Sequence, residues 1–138
     1  MPNKPKIVKE IVDEGYLTAS LYSNGTIEII WEPSLQIIDI VHLSKMQEAV
    51  CDLGDGKKMP LLFIPHDFLT VSKEGAKYAA SEEGVKYTLA IAVLIDNLAK
   101  KILMNFFLSI NKPIVPTKGF SNKKDACAWL NKFRKGTI

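Results

Sequence analysis

The chain has 138 residues, 47% hydrophobic and 24% charged, with a formal net charge of +3. That is long enough to bury a sizeable core within one domain. The charge is too mild to single out nucleic acid as a partner, and two cysteines, Cys51 and Cys127, are too few for a disulfide framework.

The opening Met1-Pro2-Asn3-Lys4-Pro5 has two prolines and no periodicity, so it is expected to be a loose arm, with no signal peptide. Lys6–Val12 is a candidate first strand. Tyr16–Tyr22 and Thr26–Trp31 are stronger strands. The Asn24-Gly25 pair between them tolerates the positive φ angles of a type I′ hairpin turn. Glu32-Pro33-Ser34 ends this hairpin. A helix is then expected from about Asp39, whose carboxylate can cap the first turn. Leu43, Met46, Val50 and Leu53 recur at helical spacing, and Gly54-Asp55-Gly56 closes the helix with left-handed glycines.

Met59–Pro65 is a continuous apolar run, as suits a central strand covered on both faces. Ser72 is placed to cap a short helix with Ala76, Ala79 and Ala80 on its inner side, ending at Gly84. Tyr87–Ile95 is the next strand and Leu98–Ile110 the next helix. The periodicity of that helix predicts a buried arc of Leu98, Ala99, Ile102, Leu103, Phe106, Phe107 and Ile110. Met104 and Leu108 fall outside it, so they are the candidate interface residues, against a protein partner or a second copy in a homodimer. Ile114–Pro116 is a short edge strand between prolines. Ser121 or Asn122 caps the last helix, where Ala126, Trp129, Leu130 and Phe133 share a face. Cys51 and Cys127 lie in predicted helices among apolar neighbours and are expected to be reduced, at or near the core.

A hairpin followed by helices alternating with strands predicts an α/β domain spanning 1–138. Its sheet is expected to be mixed and mostly parallel, with about five strands and four helices. In such a sheet the strand-to-helix loops emerge at the carboxyl edge, where ligands of α/β proteins tend to sit. His66 and Asp67, Asp96 and Asn97, and Thr117 and Lys118 fall in those loops and are the candidate ligand residues. His66 beside a carboxylate has the ingredients of acid–base chemistry. Adjacent loop residues more often point apart, and His42 is remote in sequence. Asp96 and Asn97 suit helix capping, and Lys118-Gly119 near a helix start could hold an anion.

Neither glycine-rich phosphate motif occurs, and the cysteines and histidines lack zinc-type spacing, so no metal or cofactor is expected. The longest apolar stretch, Leu98–Ile110, is interrupted by Lys100, Lys101 and Asn105, which excludes membrane insertion by that segment. The lysines near the C-terminus favour a helix end and a solvated face over a nucleic-acid site. A cytoplasmic setting is the expectation.

Four stretches carry a family resemblance: the hairpin Tyr16–Trp31, the run Thr70–Glu83, the segment Asn105–Thr117 and the ending Phe120–Leu130. In them the chain resembles the STAS-like class, the fold of bacterial anti-sigma-factor antagonists, and more closely a group of small uncharacterised bacterial proteins of that fold. The resemblance implies a non-enzymatic regulatory or protein-interaction module. Its class also implies an alternative, a carrier or sensor of a small apolar or anionic ligand. The STAS phosphoswitch uses an Asp-Ser-Ser-Gly-type motif at a strand-to-helix turn. Here, aligned on Gly75, Lys73 and Glu74 fill the serine slots and Ser72 the aspartate slot. The motif is broken, and Ser72 is better read as a helix cap than as a phosphosite.

Overall fold

The structure, a computed structural model, describes residues 5–110 and 112–135; the side chains of Phe106, Phe107, Ile110, Arg134 and Lys135 lie outside that description, as do residues 1–4 of the expected arm. In chain order the elements are β1 (Ile7–Asp13), β2 (Leu17–Tyr22), β3 (Ile27–Trp31), β4 (Ile37–Ile38), α1 (Ile40–Leu53), β5 (Met59–Phe63), β6 (Thr70–Val71), α2 (Lys73–Ala79), β7 (Thr88–Leu94), α3 (Leu98–Ile110), β8 (Thr117–Phe120) and α4 (Lys123–Lys135). The sheet order is β1-β2-β3-β5-β7-β8. The first three strands pair antiparallel, and β3, β5, β7 and β8 are parallel. The mixed, mostly parallel sheet thus has six strands where about five were expected. A separate two-stranded ribbon also forms, in which Ile37 pairs with Thr70 and Ile38 with Val71.

Alternation along the strands divides the interior. Leu17, Ala19, Ile27, Ile29, Trp31 and Leu61 pack with Leu43, Met46, Val50 and Leu53 of α1. On the other side, Leu62, Ala90 and Ala92 receive Ala126 and Leu130 of α4, with Trp129 and Phe133 beside them. The short alanines of β7 let α4 sit close to the sheet.

Local chemistry accounts for several departures from expectation. The hairpin has left-handed φ at Gly25 but not at Asn24, and the Gly25 N–H bonds to the Tyr22 carbonyl. This is a three-residue loop with a glycine bulge, not a type I′ turn. At the end of α1 the left-handed residues are Asp55 and Gly56; Gly54 has φ of −96° and is small because Met59 lies against it. The last strand is Thr117–Phe120, not Ile114–Pro116, because Pro113 and Pro116 bring no N–H to a ladder.

The largest correction concerns α3. Lys100 Nζ donates to the Pro65 carbonyl at 2.8 Å, which draws Lys100 towards the sheet. Met104 and Leu108 follow at four-residue steps on the same side, and all three are half-buried. Gly119 of β8 leaves room there: a Cβ on it would lie 3.1 Å from the Met104 sulfur. The expected buried arc therefore faces out, with Leu98 70%, Ile102 58% and Leu103 47% exposed. Phe106, Phe107 and Ile110 of that arc lie outside the described side chains. Met104 and Leu108 are not the outward residues of this helix.

Candidate functional site

The carboxyl edge of the sheet is built from the segments after β3, β5 and β7. Two of the three expected pairs lie there, His66 with Asp67 and Asp96 with Asn97. His66 Nε2 lies 2.7 Å from the Leu35 carbonyl, which can only accept, so the ring donates from Nε2 and ties the β5 loop to the β3 loop. Asp67 turns the other way: Oδ1 accepts from Asn97 Nδ2 at 3.1 Å and lies 3.5 Å from Lys100 Nζ. Adjacent in sequence, His66 and Asp67 bond in different directions.

Asp96 Oδ1 accepts from Lys100 Nζ at 2.8 Å. That bond, and then the field of the ammonium, hold the Asp96 carboxyl below the usual aspartate range. Asn97 Oδ1 accepts from the Lys100 backbone N–H at 2.9 Å and so caps α3. Lys100 thereby joins Pro65, Asp67 and Asp96 with a side chain that is only 14% exposed. Sequence reasoning took Lys100 only as an interruption of the apolar stretch Leu98–Ile110. The signal that could have found it was its spacing of four from Asp96, an ordinary helical ion-pair register.

Nearby, the Ser34 hydroxyl and then the Ser34 N–H bond to Glu32, and together they lower its carboxyl.

Thr117 and Lys118 do not belong to this edge. They lie inside β8, paired with Ile91 and Ala92 in the middle of β7. The Thr117 hydroxyl donates to the Val115 carbonyl at 3.1 Å, and the Lys118 ammonium sits 5.4 Å from the centre of the Phe120 ring. Beyond the end of β8 stands Asn122, whose Oδ1 accepts from the Asp125 N–H and caps α4.

The helix starts of α1 and α2 complete the edge. Ser72 Oγ accepts from the Gly75 N–H at 2.9 Å and caps α2; its hydroxyl also donates to Asp39 Oδ1 at 2.7 Å. Asp39 caps α1, and its own N–H donates to His42 Nδ1.

Around these bonded polar groups stands a row of apolar side chains facing solvent. Phe68 is 90% exposed and holds a left-handed φ of 66°. Leu98 adjoins Asn97, which bonds to Asp67, the neighbour of Phe68. From Phe68 the chain runs into Thr70, which bonds to the Gln36 carbonyl next to exposed Ile37. Exposed Val71 and Ile40 flank the Ser72–Asp39 bond, and Val41 comes next. These segments form one continuous edge, and its polar atoms are largely satisfied internally while its apolar ones are not.

A family model for a domain of unknown function, DUF7793, matches residues 21–134. The chain belongs to that family. Among solved structures, this DUF7793 chain is similar to an uncharacterised protein of the DUF3478 family with a SpoIIAA-like fold from Shewanella loihica PV-4. The identity is 13% over 94% of this chain and 98% of that one, with a TM-score of 0.47. None of the curated proteins compared matches it.

Away from the carboxyl edge, an open cleft of about 450 Å³ lies between the end of α1 and the start of β7, lined by Gln47, Cys51, Tyr78 and Tyr87 among others. Its buried Gln47 is engaged with the Tyr87 N–H and the Thr88 hydroxyl. Among the described residues no group of acidic, histidine or cysteine side chains could hold a metal ion, and no helix is long and apolar enough to cross a membrane.

Proposed function

We propose that the protein is a non-enzymatic, cytoplasmic interaction or regulatory module that docks a protein partner, or a second copy of itself, on the apolar row at the carboxyl edge. The observation that carries this reading is the exposure of Phe68 and Leu98 beside the Lys100-centred polar cluster, with exposed Ile102 one turn beyond Leu98 on the outward face of α3. Large apolar side chains held outward around satisfied polar groups are what an interface needs, because burial of apolar area supplies most of the driving force. The family resemblance seen in the sequence implies the same class of role.

Site-directed photo-crosslinking in cells tests this. A photoreactive residue at position 68 is expected to give discrete protein adducts whose mass distinguishes a partner from a second copy. Leu98→Asp with Ile102→Asp is expected to abolish them. A crosslinker at exposed Glu48, which lines the cleft away from this edge, serves as the control. Adducts of equal yield from positions 68 and 48, or none from 68, refute the reading.

A further inference from the structure

The starts of α1 and α2 are joined through three side chains. The Asp39 backbone N–H donates to His42 Nδ1 at 2.8 Å. Asp39 Oδ1 accepts from the Ile40 N–H at 2.8 Å and from the Ser72 hydroxyl at 2.7 Å. Ser72 Oγ in turn accepts from the Gly75 N–H at 2.9 Å. This is a capping box in which histidine stands where glutamate or glutamine is usual.

The substitution matters chemically. A glutamine oxygen accepts a hydrogen bond at any pH. A histidine Nδ1 accepts only while the ring is neutral with its proton on Nε2; an imidazolium carries N–H at both positions and accepts at neither. The Asp39 carboxylate faces His42 from the preceding loop, next to the Ser72 hydroxyl it binds. The Tyr16 ring lies 5.6 Å away from the turn after β1, and Lys45 of α1 sits over that same ring.

We propose that His42 is a proton-operated latch between α1 and α2. With the ring neutral, His42 holds the Asp39 N–H and leaves the Asp39 carboxylate to Ser72, so the two helix starts are tied. With the ring charged, the bond to the Asp39 N–H is lost. The imidazolium then turns to the Asp39 carboxylate and competes with the Ser72 hydroxyl for it, loosening the tie. Exposed Ile40, Val41 and Val71 flank this junction, so its opening shifts one end of the apolar row. The latch rests on the hydrogen bonds alone and stands whether or not that row docks a partner.

The test is NMR of the whole chain between about pH 8 and pH 5, the range in which an imidazole ordinarily titrates. The Ser72 hydroxyl bond, and then the Ile40 N–H, keep the Asp39 carboxyl below its ordinary range, which separates it from this window. The Asp39 amide proton is expected to move upfield with the midpoint read from the His42 ring, and the Gly75 amide is expected to move with it. His42→Gln, which accepts at every pH, is expected to leave both amides flat. Ser72→Ala is expected to uncouple Gly75 while Asp39 still responds. If His42→Gln does not fold, His42→Glu supplies the same comparison. An Asp39 amide that ignores the His42 midpoint, tracks His66 instead, or titrates unchanged in the glutamine variant overturns the proposal.

Discussion

Lys100→Met deletes the ammonium that gathers the carboxyl-edge loops and keeps an unbranched side chain of similar length. The wild-type ammonium donates to the Pro65 carbonyl and to Asp96 at 2.8 Å each. Asp96 is exposed, so its bond adds little to stability. The Pro65 bond is shielded, because the lysine side chain is only 14% exposed. A charged donor on a shielded carbonyl contributes about 1–2 kcal/mol after allowance for partial solvent access. With an unfolding entropy of roughly 2 cal/mol/K per residue over this length, that converts to a fall in Tm of about 3–7 °C. Scanning calorimetry measures it, and hydrogen exchange should show the loss concentrated around residues 65–70 and 96–100. The pH dependence has a definite sign. A carboxyl lowered in the folded state contributes stability above its unfolded value, near pH 4, and loses it as the pH falls further. Asp96 makes such a contribution through Lys100, so the acid limb of the wild type should be steeper than that of the variant. An unchanged Tm together with unchanged exchange in both loops would refute the pinning role of Lys100.

Two further substitutions probe the scaffold that presents this edge. Gly84→Ala is expected to cost about 3 kcal/mol and roughly 10 °C in Tm, because a Cβ there would lie 1.9 Å from the Tyr78 carbonyl oxygen, backbone that cannot swing aside. Leu130→Ala should cost about 2–5 kcal/mol, read as a lower urea midpoint at constant slope, since Leu130 is fully buried where α4 meets β5 and β7.

Much of the fold was legible because its signals are local. Asp39, Ser72 and Asn97 stand where caps belong, and α3 begins and ends at the residues its periodicity marks. The rotation of α3 was not legible. A helix apolar over most of its circumference has a weak preferred face, and two contacts distant in sequence decide it: the Pro65 carbonyl that draws in Lys100 and the bare Cα of Gly119 that admits Met104. The ribbon of Ile37–Ile38 with Thr70–Val71 was missed because two-residue strands carry no period. Of the candidate site residues, His66, Asp67, Asp96 and Asn97 meet at one edge. Thr117 and Lys118 were misplaced with their strand, since the prolines delay pairing until residue 117. His42 was legible only as an isolated histidine, because a histidine in the acceptor position of a capping box has no sequence signature of its own.

On the α4 side of β3, Glu28 presents a case where removing either partner of an ion pair should not be equivalent. Glu28 is 7% exposed and its Oε2 accepts from Lys123 Nζ at 3.0 Å and from the Tyr22 hydroxyl at 3.3 Å. The lysine is half exposed. Lys123→Met strands a carboxylate in a shielded site, whereas Glu28→Gln leaves an ammonium that water can solvate and an amide oxygen that Tyr22 can still reach. Lys123→Met should therefore be the more destabilising single change, and the double variant should recover part of its loss. The pair also sets the alkaline limb. The bond to Glu28 raises the Lys123 amine, and burial, then the Glu28 charge, raises the Tyr22 phenol. Groups raised on folding contribute fully below their unfolded values, near pH 10, and lose that contribution as the pH climbs through the folded ones. Stability should fall above about pH 10, less steeply in the double variant. Equal costs for the two single changes, with strict additivity in the double, would show that Glu28 is solvated in spite of its burial.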